Sequence, residues 1–165
     1  MTRIVIIKAL DKFIQKARAE IGYKGGANNN NKYCREVNHV PNQAWCATFV
    51  VSMAIRSGTI LPANTNSTKT LANAFKRINK WHTTKPQIGD IVFYKFSSGA
   101  NFVDHLGIVE RVNSSTQITT IEGNTSSGTT GSQNNGNGVY RRTRNTRLVV
   151  GYGRPTFPVK VYGVA

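Results

Sequence analysis

Apolar residues in this chain change their period once, and that change constrains the fold more than any single residue does. Leu10, Phe13, Ile14, Ala17 and Ile21 recur at helical spacing and stop at Gly22. Phe49, Val50, Met53 and Ala54 form a second helical face that ends at Gly58, although the adjacent Val50 and Val51 lower the local propensity. Leu71, Ala74, Phe75 and Ile78 mark a third helix over about residues 67–78. Beyond residue 90 the apolar residues instead fall into short runs separated by Gly, Asn and Ser, predicting strands at 91–96, 105–112, 117–122, 138–142 and 149–152. Helices followed by strands predict an α+β fold with a mostly antiparallel sheet. At 165 residues the chain can bury one core, so residues 1–165 are read as a single domain, without internal repeats.

Cys46 is the residue on which chemistry is most easily built. The segment Pro41-Asn42-Gln43-Ala44-Trp45-Cys46 leads directly into the second helix. A cysteine at a helix start faces unpaired backbone N–H groups and the positive end of the helix dipole. Both favour the thiolate, which is the nucleophilic form. A buried cysteine can equally be a small hydrophobe, so the reading depends on its partners.

Those partners come from Asp104-His105-Leu106-Gly107-Ile108-Val109-Glu110-Arg111-Val112 and Gln117-Ile118-Thr119-Thr120-Ile121-Glu122-Gly123-Asn124, two strands joined by a polar turn. A two-residue turn would set His105 opposite Glu122. A four-residue loop would set it opposite Asn124, with Glu122 on the diagonal. Either register brings an acceptor to the imidazole, because opposed side chains in an antiparallel pair lie about 5 Å apart at Cβ. One ring nitrogen would then be held and the other left for a thiol.

Cysteine at a helix start, a later histidine opening a strand, and an orienting Glu or Asn on the next strand follow the order of papain-like cysteine hydrolases. The chain resembles the CHAP domains, cysteine, histidine-dependent amidohydrolases/peptidases of bacteriophage endolysins and bacterial wall hydrolases. The resemblance rests on an ordered set that includes Trp45-Cys46-Ala47-Thr48-Phe49-Val50, Gly89-Asp90-Ile91-Val92-Phe93, His105-Leu106-Gly107-Ile108-Val109, Thr120-Ile121-Glu122-Gly123-Asn124-Thr125 and Val149-Val150-Gly151-Tyr152-Gly153-Arg154-Pro155. It runs from about residue 10 to 155.

The resemblance implies a papain-like fold and a site with Cys46 as nucleophile, His105 as general base, Glu122 as orienting residue and Asn124 as a fourth member. Gln43 and Trp45 fall on the oxyanion and substrate side. It further implies hydrolysis of a peptidoglycan amide, either the muramoyl-L-alanine bond or a peptide bond of the stem or cross-bridge. The competing reading is a non-catalytic basic module that binds wall polymer or nucleic acid.

No cofactor is expected. Some CHAP domains bind calcium through an Asp-rich loop upstream of the cysteine, but Gly25-Gly26-Ala27-Asn28-Asn29-Asn30-Asn31-Lys32-Tyr33 carries no aspartate. Amides, backbone carbonyls and Glu36 alone could ligate there, and hard cations favour carboxylates. The three histidines and two cysteines show no zinc spacing, and Cys34 reads as a free bystander.

Charge carries the remaining signal. Against 7 acidic residues stand 22 Lys plus Arg, a net +15, which implies a polyanionic partner. No helix-turn-helix, zinc-finger or RNP-type pattern supports specific nucleic-acid binding. Given the resemblance, peptidoglycan with anionic wall polymers such as teichoic acids is the expected partner of a monomer. No apolar stretch approaches the ~20 residues of a membrane span, and the N-terminus lacks a signal-peptide pattern. The expectation is synthesis in the cytoplasm and action on the wall after release through a phage-encoded pore.

Overall fold

The computed structural model describes residues 3–99, 103–128 and 130–164. Helices occupy the first half of the chain. α1 (Ala9–Ala19) buries Phe13, Ile14 and Ala17, with Asp11 in its first turn and Lys16 and Arg18 in its last, an arrangement that complements the helix dipole. α2 (Tyr33–Val37) is a single short turn ended by left-handed Asn38. α3 (Cys46–Ser57) stops at Gly58, whose φ of 74° and N–H bonds to the carbonyls of Ala54 and Ile55 form a left-handed cap. α4 (Thr68–Arg77) opens on Ser67, whose hydroxyl accepts the Thr70 N–H.

The second half builds a six-stranded antiparallel sheet from β2 (Trp81–His82), β3 (Ile91–Tyr94), β4 (His105–Val112), β5 (Gln117–Thr125), β6 (Gly138–Asn145) and β7 (Val149–Gly153), in the order β2-β7-β3-β4-β5-β6. α3 lies on β4 and β5. Phe49, Val50 and Met53 are buried in one cluster with Leu106, Ile108 and Ile121, and full burial of each such side chain stabilises by on the order of 1.5–3 kcal/mol. That packing outweighs the weak helix propensity of the two valines. On the other face of the sheet, Val92, Tyr94, Val109, Ile118 and Tyr152 form a smaller cluster flanked by Phe96 and Val149.

Several features depart from the expected elements: the strand expected over 91–96 ends at Tyr94, and the two-residue β2 was not expected. β5 and β6 run three residues further than their apolar patterns, because the added positions Gly123, Asn124, Thr125, Thr143, Arg144 and Asn145 continue the strands with mostly polar residues. The Ile4–Ile7 apolar run is strand β1 (Arg3–Lys8), paired antiparallel with β8 (Val159–Val164) in a separate two-stranded ribbon. α2 was too short to leave a periodic signal. Between β5 and β6, Gln133 and Asn134 reach back to β6 and to the segment before β4.

Candidate active site

Cys46 is the first residue of α3, directly after Trp45, whose φ of −123° and ψ of 19° take it out of the helix. The first ladder bond runs from the Phe49 N–H to the Trp45 carbonyl, so the N–H groups of Cys46, Ala47 and Thr48 precede it. No side chain caps this end and no acidic residue occupies its first turn, which leaves the positive end of the dipole to the cysteine. Cys46 is a free thiol at 2% exposure. Cys34 is also free and is engaged elsewhere, with the Asn31 side-chain amide donating to its sulfur at 3.0 Å.

Gln43 lies exposed in the approach to the helix, where its Oε1 accepts from the Asn66 amide at 3.0 Å and its own N–H groups remain donors. Trp45 differs from its expected place on the substrate side. Its side chain is fully buried against Tyr33 and Tyr23, at centroid distances of 5.6 and 6.1 Å, so it supports the cysteine from the core.

Strand register decides how the histidine is held. β4 and β5 pair Ile108 with Ile121 and Val109 with Thr120, which is the register of the four-residue loop, and a bulge at Glu110 shifts the pairs nearer the turn by one. The ladder pairs end at Ile108 and Ile121; extended by count, this register would set Gly107 opposite Glu122 and His105 opposite Asn124. Glu122 nevertheless makes the bond: its Oε2 accepts the His105 Nε2–H at 2.9 Å, across the diagonal. Gly107 makes the diagonal available, since a Cβ there would stand 2.5 Å from the Glu122 Cγ. Asn124 sits in the left-handed region at φ 55°, donates to the Asn135 side chain at 3.3 Å and makes no bond to the ring.

A Gly107→Ala variant should therefore displace the Glu122 side chain. The expected cost is about 1–3 kcal/mol of stability from overpacking, with at least a roughly tenfold loss of activity. Chemical denaturation and a rate measurement on the folded variant check both, and a variant with native stability and rate would show that the diagonal does not need the glycine.

His105 and Glu122 are both fully buried. Burial alone would push the imidazole toward its neutral form, but the Cys46 thiol and the Glu122 carboxylate outweigh it and lift the pKa to about 9. Nδ1 carries no conventional hydrogen bond, and the neighbouring sulfur is close enough to interact with the ring. For Glu122, burial favours the protonated acid. Bonds from Arg144 and His105 overcome that and hold the carboxyl at about 2. The site thus favours a carboxylate beside an imidazolium.

Arg144 is the member that sequence reasoning missed. Its Nε donates to Glu122 Oε1 at 3.0 Å and its Nη2 to Oε2 at 2.6 Å, a bidentate clamp on the orienting carboxylate. Thr120 Oγ1 adds a bond to Oε1 at 2.7 Å. The ring of Phe96 lies 5.5 Å from His105 and 4.9 Å from the Arg144 guanidinium, so one aromatic shelf supports both cations. The available signal was alternation: Arg142 and Arg144 share a strand face two residues apart, but the expected strand stopped at 142.

Among the described residues, no group of three or more His, Cys, Asp or Glu converges as a metal site. Beside the Asn-rich loop, the Glu36 carboxylate accepts from Arg56 and Ser52, Glu20 from Lys32 and Tyr33, and the Asn31 side chain bonds Asn29 and Cys34.

In overall structure the chain is similar to the endolysin LysIME-EF1, with a TM-score of 0.55 and 14% identity over 88% of this chain and 63% of that one. A similarity to Ly7917 has a TM-score of 0.49 at 19% identity, over 88% of this chain and 62% of that one. The chain therefore spans less than two thirds of either protein. No curated protein matches the sequence. The CHAP domain family matches residues 37–124, more than half of the chain and a span that contains Cys46, His105, Glu122 and Asn124. This chain belongs to the CHAP domain family.

Proposed function

We propose that this protein is a peptidoglycan hydrolase that cleaves an amide bond of the bacterial wall through a cysteine nucleophile. The observation that carries the reading is the His105–Glu122 bond beside a cysteine that opens a buried helix. His105 takes the Cys46 proton on Nδ1 while Nε2–H stays bonded to Glu122. The thiolate attacks the carbonyl carbon, and the developing oxyanion meets the Cys46 N–H and the Gln43 side-chain amide. The C–N bond breaks as the imidazolium returns its proton to the leaving amine, and water then hydrolyses the thioester with His105 as base.

Membership of the CHAP family and likeness to an endolysin support peptidoglycan as the substrate. The amide is either the muramoyl-L-alanine bond or one within the stem or cross-bridge peptides. The net charge of +15 supports retention on anionic wall polymers. Among the described residues no helix is long and apolar enough to cross a membrane.

Digestion of purified walls, followed by mass analysis of the released fragments, tests the activity and identifies the bond together. Retention without released fragments would favour the non-catalytic binding module. A salt series separates targeting from chemistry, because the Debye length shrinks from about 10 Å at 0.1 M to about 3 Å at 1 M. Lysis of whole cells should fall steeply over that range and cleavage of a small neutral wall peptide much less. Equal sensitivity of the two would remove electrostatic targeting from the proposal.

A further inference from the structure

We infer that Arg144 is a positioning residue of this site, setting through Glu122 both the orientation of the His105 ring and the ease with which the imidazolium gives up its proton. The inference rests on the acyl-transfer reading above, and three observations point to it. The guanidinium is 7% exposed at the residue level and holds both oxygens of a carboxylate that is wholly buried. The oxygen that accepts the His105 proton, Oε2, is also the one that takes the shorter Arg144 bond, at 2.6 Å. The cation is itself fixed, by the Phe96 ring at 4.9 Å, by the Tyr94 ring at 5.7 Å, and by Gln133 Oε1, which accepts from Nη1 at 3.0 Å.

A carboxylate that accepted only from the ring would be free to rotate and would draw the imidazolium proton with its full charge. Sharing its oxygens with a bidentate cation fixes the carboxylate plane and offsets part of that charge. The imidazolium becomes a better proton donor to the leaving amine. The other groups facing His105 do not supply this: Cys46 from α3 is its reaction partner, Tyr94 from β3 is neutral, and Asp104, the preceding residue, has its carboxylate bonded to the N–H groups of Phe96 and Ser97.

The test combines Arg144→Met and Arg144→Lys with NMR titration of the His105 ring, assigned among three histidines by its loss in His105→Ala. Kinetics on sonicated, solubilised peptidoglycan supply kcat and KM. In Arg144→Met the His105 midpoint should rise by at least half a pH unit, and kcat should fall about tenfold or more with KM changed less than threefold. Arg144→Lys keeps the charge without the fork. Its midpoint should stay within a few tenths of the parent while kcat still falls several-fold. A folded Arg144→Met protein with an unchanged or lowered midpoint, or with parental kcat, overturns the inference, as does loss of thermal stability alone. Should Arg144→Met fail to fold, parental kcat in Arg144→Lys overturns it instead. The titration needs no substrate, so a parent protein that cleaves nothing defeats the hydrolase reading and still leaves the charge coupling of Arg144 to be measured.

Discussion

Replacing Cys46 with alanine or serine should reduce wall hydrolysis on the order of a thousandfold or more while leaving the fold and the retention on walls intact. Both substitutions are small at a site where the thiol is buried among α3 contacts and makes no disulfide, so the structural cost should be about 1 kcal/mol. Serine retains a hydroxyl but not the chemistry, because its proton is far harder to transfer to imidazole than that of a thiol. A second measurement reports on the same pair without substrate. Cys46 helps to raise the His105 pKa, so the ring should titrate at lower pH in Cys46→Ala than in the parent. An alanine variant that retained more than about a tenth of the parental lysis would remove the cysteine mechanism.

Much of this site was legible in the sequence, for identifiable physical reasons. Cys46 could be placed at a helix start because the apolar period of Phe49, Val50, Met53 and Ala54 is strong and Gly58 closes it. The pairing of His105 with the next strand followed from the polar turn between two apolar runs. The choice between Glu122 and Asn124 did not, since it depends on where a bulge at Glu110 shifts the register and on the missing side chain of Gly107. Arg144 was hidden for a different reason. A buried arginine looks like surface charge in one dimension, and here it sat inside the basic run Arg141-Arg142-Thr143-Arg144. Trp45 was misplaced by the same limitation in reverse, since adjacency to a nucleophile says nothing about which side of the backbone a ring occupies.

Glu122→Gln looks conservative and should be severe. The carboxylate accepts four hydrogen bonds, from His105, Thr120 and two N–H groups of Arg144. An amide of the same shape has one oxygen and one NH2, so whichever way it is turned an Arg144 N–H meets another donor. If Arg144 Nη2 takes the oxygen at the Oε2 position, the NH2 faces Arg144 Nε; if the amide flips, it faces both Nη2 and the His105 Nε2–H and drives the ring toward the wrong tautomer. The buried guanidinium is left without a counter-charge, which costs about 3–5 kcal/mol in comparable settings.

The sign of the pH dependence follows from the two shifts. Glu122 is lowered from 4.5 to about 2, so its stabilisation is complete above pH 4.5 and is lost as the pH falls toward 2. His105 is raised from 6.5 to about 9, so its stabilisation is complete below pH 6.5 and is lost as the pH rises through 9. The stability gap between parent and Glu122→Gln should therefore be widest from pH 4.5 to 6.5. It should narrow toward pH 9 without closing, because Arg144 stays charged. Activity should fall about a hundredfold or more, yet remain above that of His105→Ala, which removes the proton carrier itself. Urea denaturation across that pH range and parallel rate measurements decide the matter. A Glu122→Gln protein with parental stability at pH 6 and parental rate would show that the clamp around this carboxylate has no energetic or catalytic role.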